Sequence, residues 1–128
     1  MRIYCTTCSK EKSTQEGKIA TIQRYQEERI RTIYNKSQQD NIGFRILSGK
    51  YGLLSATDEI PWYDQVLLTH EINNMIDLIA LQIEHSGITS IDLFVKDPVQ
   101  YPDWAAYVST MIGACEKTGI QLEIKLLD

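Results

Sequence analysis

Hydrophobic and polar positions alternate along this chain with two different periods. Short apolar runs or strict alternation mark four strand-like segments: Met1 to Cys5, Phe44 to Leu47, Ile88 to Val95 and Ile120 to Leu127. Spacings of three and four mark three helix-like segments between them. Ser13-Thr14-Gln15-Glu16 has the form of a capping box and predicts a first helix running to about Lys36, with Ile19, Ile22, Ile30 and Ile33 as its buried stripe. Leu68, Ile72, Met75, Ile76, Ile79 and Ile83 predict a second helix, closed by Gly87. Trp104, Val108, Met111, Ile112 and Cys115 predict a third, with Pro102 suited to its first turn and Thr118-Gly119 at its end. Residues 53–66 carry no clean period and hold Pro61 and Trp62, so they read as a long loop.

Strands and helices that alternate in this way build βαβ units around a parallel sheet. In the last strand Ile120, Leu122, Ile124 and Leu126 alternate with Gln121, Glu123, Lys125 and Leu127, which predicts one buried and one mostly wet face at a sheet edge. Right-handed crossovers with that edge favour the strand order 2-1-3-4. The expectation is one α/β domain over residues 1–128, a three-layer sandwich with a four-stranded, mainly parallel sheet and three helices. Its chain direction reverses beside the first strand, so a ligand crevice is expected between the ends of the first and third strands.

Composition changes this picture little: 43% hydrophobic and 23% charged residues in 128 are an ordinary globular mixture. A net charge of −4 argues against a broad basic surface for nucleic acid, though not against a local basic pocket. No apolar stretch approaches the ~20 residues of a membrane span, and no signal-peptide core is apparent, so no membrane partner and a cytoplasmic location are expected. Three cysteines, Cys5, Cys8 and Cys115, read as free thiols.

The strongest local signal is Ser48-Gly49-Lys50-Tyr51-Gly52 at the end of the second strand. Glycines allow close backbone approach, a lysine meets phosphate or carboxylate, and a tyrosine stacks or donates a hydrogen bond. The plainer alternative is a tight turn with a solvated lysine. It is not a P-loop: position 44 is Phe where that motif needs glycine, and Tyr51 follows the lysine in place of Ser or Thr. Residues 5–12, Cys-Thr-Thr-Cys-Ser-Lys-Glu-Lys, follow the first strand and face the same sheet edge, where their amides, hydroxyls and lysines suit an anion nest. The Cys-x-x-Cys spacing also admits redox chemistry, or a buried Cys5 with Cys8 in a loop; a metal site lacks matching ligands. Ile60-Pro61-Trp62-Tyr63-Asp64 sets aromatic rings beside a carboxylate, which suits a nucleobase, with Asp64 as acid/base, ribose contact or helix cap. Asp97 and Tyr101 are weaker candidates for the same crevice, and Arg24, Glu27, Glu28, Arg29 and Arg31 read as an exposed, ion-paired helix face.

Leu47-Ser48-Gly49-Lys50-Tyr51-Gly52-Leu53-Leu54, with Asp58, Ile60, Tyr63-Asp64 and Leu67, resembles the Ser-(Ala/Gly)-x-Tyr-Gly-Leu … Pro-Tyr-Asp signature of a small bacterial and phage domain family. That pattern is also similar to one in the larger peroxide-stress proteins of the YaaA type, and Cys8-Ser9-Lys10 with Lys12 is similar to the small family's opening block. Trp62 stands where the family has proline. The resemblance implies a Rossmann-like sheet and an association with nucleic acid or modified bases. The expected function is therefore handling of a nucleotide or nucleobase, with an N-glycosidic bond or a modified base as the candidate target. Asp64 and Lys50 are the catalytic candidates, and Lys10, Ser48, Gly49, Tyr51, Gly52 and Tyr63 the ligand contacts; no cofactor or metal is expected. The partner is then a small nucleotide-like ligand or a nucleic acid. The alternatives are a non-catalytic module that binds nucleic acid or protein, and a thiol-based stress protein using Cys5 and Cys8.

Overall fold

Every residue of β1 (Arg2–Thr7) after Arg2 is buried, as a central strand covered on both faces requires. In the computed structural model, which describes residues 1–127, helices cover both faces of the sheet that contains it. Asp128, included in the expected domain, lies outside the described residues. After β1 come β2 (Ile19–Ala20), a helical turn α1 (Thr21–Arg24), α2 (Glu28–Gln39), β3 (Gly43–Ser48), β4 (Gly52–Leu54) and β5 (Glu59–Ile60). Then follow α3 (Ile72–Ser86), β6 (Ser90–Val95), α4 (Ala105–Thr118) and β7 (Gln121–Leu126).

The sheet order is β4-β3-β1-β6-β7, with β4 antiparallel to β3 and the other pairings parallel. This α/β sheet has five strands, not the four expected, and its order differs from 2-1-3-4 by the added β4 at one edge. Among the described residues four α-helices stand where three were expected. Ile3 and Cys5 of β1 face α3 and α4, packing with Ile79, Ile83, Leu93, Met111 and Ala114. Tyr4 faces the opposite layer, where Ile30 and Ile33 of α2 meet Phe44, Ile46 and Phe94. Each fully buried Ile or Leu of these layers contributes about 1.5–3 kcal/mol relative to exposure. Among the described residues no helix is long and apolar enough to cross a membrane.

Two sequence expectations fail for one physical reason. Residues 13–24 do not form the first half of a helix, and Arg24 is not on a wet helix face but fully buried. Its guanidinium donates to the carbonyls of Ser13 (2.7 Å), Gln15 (3.0 Å), Gly17 (2.7 Å) and, twice, Ile60 (3.3 and 3.0 Å). All five donors of the fork are thus satisfied by backbone. The carbonyls of Ser13, Gln15 and Gly17 belong to a strap that a continuous helix would have consumed in its own hydrogen bonds, and that of Ile60 comes from β5. Gly17 turns the strap at φ +79°, and Ile19 pairs with Ile60 in the small β2–β5 ladder instead of lying on a helical stripe. Arg29 is only 14% exposed, whereas Arg31 is exposed as expected.

The expected loop at 53–66 contains β4 and β5, leaving 61–68 as irregular chain. β4 hairpins back because Ser48 Oγ accepts the amides of Lys50 and Tyr51, each at 3.1 Å. β7 also departs from expectation: its apolar face is not buried, with Ile124 39% and Leu126 59% exposed. Only its register matches the alternation, which puts Leu122, Ile124 and Leu126 beside Ile91, Leu93 and Val95.

Candidate functional site

Parallel strands end together, so the segments that leave β1, β3 and β6 gather at one edge of the sheet. There a cleft of about 540 Å³ opens between the chain after β1 and the start of α4, at the point where the topology reverses. Thr7 to Lys10 and Lys12 form one wall, Asp64 to Thr69 a second, and Pro102 to Tyr107 a third, with Glu27 and Arg29 from the start of α2. The size suits a small molecule.

Arg29 organises the wall after β1. It donates to Thr6 Oγ1 (3.0 Å) and to the carbonyls of Thr7 (2.9 Å) and Cys8 (3.0 Å), while its Nε meets Glu27 at 2.7 Å. Four of its five donors are so engaged, and one N–H of the fork has no partner among the described residues. Burial lowers the pKa of this guanidinium, and the adjacent Glu27 carboxylate acts in the opposite direction. The same guanidinium lies 4.6 Å from the ring centroid of Trp104, a cation–π contact that ties the α2 wall to the α4 wall.

Next to the cleft is a cluster of hydroxyls, reached through Lys12. Tyr63 is hydrogen-bonded to Tyr25 and, at 2.9 Å, to Ser48. Since Ser48 Oγ already accepts two amides, its own proton is the one shared with Tyr63. Burial pushes the Tyr63 phenol up to about 12, and it raises Tyr25 and Tyr107 further. Lys12 and Lys50 stand 4.7 and 5.6 Å from the centroid of the Tyr63 ring. Tyr107 accepts the amide of Leu67 at 3.2 Å and is met by Cys8 Sγ at 3.8 Å. This works only because residue 49 is glycine: a Cβ there would lie 2.9 Å from the Leu67 nitrogen and 3.0 Å from the Tyr107 hydroxyl.

The sequence-predicted residues divide accordingly. Ser48, Lys50, Tyr51 and Tyr63 are brought together, with the Tyr51 and Tyr63 rings edge to face at 5.4 Å. Lys50 is exposed above those rings and does not line the cleft. Gly49 approaches the protein's own Leu67 and Tyr107, and Gly52, at φ +72°, would meet the Gln82 amide if it carried a Cβ. Lys10 and Asp64 line the cleft, Lys10 lying 3.9 Å from Asp103 with both side chains exposed. Asp64 caps no helix, for Leu68 precedes the first turn before α3 and its amide donates to Glu71. Asp97 and Tyr101 lie outside the lining; Asp97 accepts the amide of Val99, and Tyr101 is covered by Lys96.

Arg29, Trp104 and Tyr107 were not singled out from sequence as site residues. Position marks two of them, since Trp104 and Tyr107 lie at the start of the helix that follows the carboxyl end of β6; no sequence signal marks Arg29, which the expected 13–36 helix places mid-helix. Cys5 is buried in the α3/α4 core, where desolvation raises its thiol well above the ordinary range. Extended chain from Cys5 to Thr7 separates it from Cys8 by about 10 Å, beyond the ~7 Å Cα limit of a disulfide. Among the described residues no three His, Cys, Asp or Glu side chains converge as a metal site.

No protein-family model matches this chain, and no curated protein and no solved structure shows significant similarity to it.

Proposed function

We propose that this domain binds a nucleotide or nucleobase-containing ligand in the cleft at the end of β1. The observation that carries the reading is the composition of one small cavity: a partly exposed indole, Trp104, stands next to an incompletely satisfied guanidinium, Arg29, with Lys10 and Lys12 on the adjoining wall. An aromatic surface takes the base, and the cations take an anionic group. Asp64, exposed on the opposite wall, is the group available to hold or move a proton at the ligand, as cleavage of an N-glycosidic bond or chemistry on a modified base would need. The resemblance to the small phage and bacterial family and to YaaA-type proteins supports the same ligand class. The Rossmann-like arrangement supports the same cleft, because ligands of open parallel sheets lie at this switch point.

The test is a thermal-shift screen of nucleobases, nucleosides and nucleoside monophosphates against wild type and Trp104→Ala. A ligand present at 100 times its dissociation constant stabilises the native state by about 2.7 kcal/mol, a shift of several degrees for a domain of this size. The expected result is a shift with a monophosphate that is lost in Trp104→Ala. A wild type that no base-containing compound stabilises would overturn the reading.

A further inference from the structure

The two edges of the sheet are treated differently. At the β4 edge, Gln82 of α3 behaves as a surrogate strand: its side chain accepts the Leu53 amide at 2.7 Å and donates to the carbonyls of Tyr51 (3.0 Å) and Leu53 (3.3 Å). The β7 edge has no such cover among the described residues. Its six residues run without a bulge or a proline, and its apolar face holds Ile124 and Leu126, exposed by 39% and 59%. An unguarded, regular edge of this kind is a template for another strand.

We infer that β7 pairs antiparallel with β7 of a second copy of this chain, joining two five-stranded sheets into one. The backbone and the charges select one register. Leu127 donates its amide to Val95, so alternate residues 125 and 123 also face β6, and the amides and carbonyls of Leu122, Ile124 and Leu126 face outward. Outward groups must meet outward groups, which leaves registers that differ by two residues. With the two-fold axis at Ile124, Glu123 faces Lys125 of the second copy, and Lys125 faces its Glu123. These pairs occupy non-hydrogen-bonded positions, where side chains approach most closely. Shifting one way sets Glu123 against Glu123, and shifting the other sets Lys125 against Lys125, both repulsive. In the favoured register the opposite face presents Leu122 against Leu126 and Ile124 against Ile124, an unbroken apolar stripe across the seam.

The experiment is sedimentation of the full chain across the micromolar range. Wild type is expected to approach a mass of about 29 kDa, twice 14.7 kDa. Glu123→Lys and Lys125→Glu, each alone, place like charges opposite and are expected to sediment as monomers. An equimolar mixture of the two, and the doubly swapped chain, restore complementarity and are expected to recover the dimer. Ile124→Pro keeps the monomer's own ladder, because that amide points away from β6, and is expected to remain folded by circular dichroism yet monomeric. A wild type that stays monomeric, or a dimer that Ile124→Pro and the single charge reversals leave intact, would overturn the inference. Neither outcome bears on ligand binding in the cleft, which lies at the end of β1.

Discussion

Single side chains decide the shape of the site floor. Gly49 is required because its α-carbon faces the Leu67 amide and the Tyr107 hydroxyl. Gly49→Ala is expected to break that hydrogen bond and cost about 1–3 kcal/mol, read as a lower denaturant midpoint with an unchanged slope. Tyr63→Phe removes the hydroxyl that joins Ser48 to Tyr25, and two buried groups lose a partner. The expected cost is again about 1–3 kcal/mol, and Ser48→Ala in the same background should add less than it does alone. The sequence made Ser48, Lys50, Tyr51 and Tyr63 visible because a glycine-bracketed turn and an aromatic–carboxylate pair are local patterns. It did not make Arg29 or Trp104 visible, since their contact joins residues far apart in the chain and depends on where two helices begin.

At the scale of elements, the strap from Ser13 to Arg24 is held by one buried cation. A guanidinium with all five donors on carbonyls gives this segment a fold that neither helical period nor turn chemistry announces. Arg24→Ala is expected to leave the carbonyls of Ser13, Gln15, Gly17 and Ile60 unsatisfied and to destabilise by about 3 kcal/mol or more. Arg24→Lys recovers only part of that, because an ammonium lacks the planar fork. Hydrogen exchange should show the β2–β5 ladder losing protection before the main sheet does. α3 and α4 were legible for the opposite reason: their apolar spacing is strict, and Gly87 and Gly119 close them in left-handed conformation. β4 was hidden inside an apparent loop because three residues are too few to show a period.

For the whole molecule, buried thiols and phenols lower stability at alkaline pH, because burial raises Cys5 and Cys115 as well as Tyr25, Tyr63 and Tyr107. Tyr63 ionises near 10 in the unfolded chain and is pushed up to about 12 in the folded one, so from pH 10 upward the unfolded state holds fewer protons. Its contribution is fully present below pH 10 and is lost as pH rises toward 12. Tyr25 and Tyr107 are shifted in the same direction by burial and reinforce the loss. A melting temperature that falls from about pH 9 upward, together with delayed phenolate absorbance, is the expected result, and Tyr63→Phe should lessen the fall above pH 10. Of these tyrosines Tyr107 lines the cleft, which the topology places where open α/β sheets receive ligands.

Two tryptophans, Trp62 and Trp104, let one spectrum show whether a nucleotide binds in the cleft. A nitrogen–proton correlation spectrum contains one indole signal from each, and titration with a nucleoside monophosphate reports on both at once. Trp104 lines the cleft and Trp62 does not. Ligand binding in the cleft predicts a saturable movement of the Trp104 indole, with the amides of residues 7–10 and 64–67, while the Trp62 indole stays in place. A Trp104 signal unmoved at saturating ligand, or a movement confined to Trp62, would contradict nucleotide binding in the cleft.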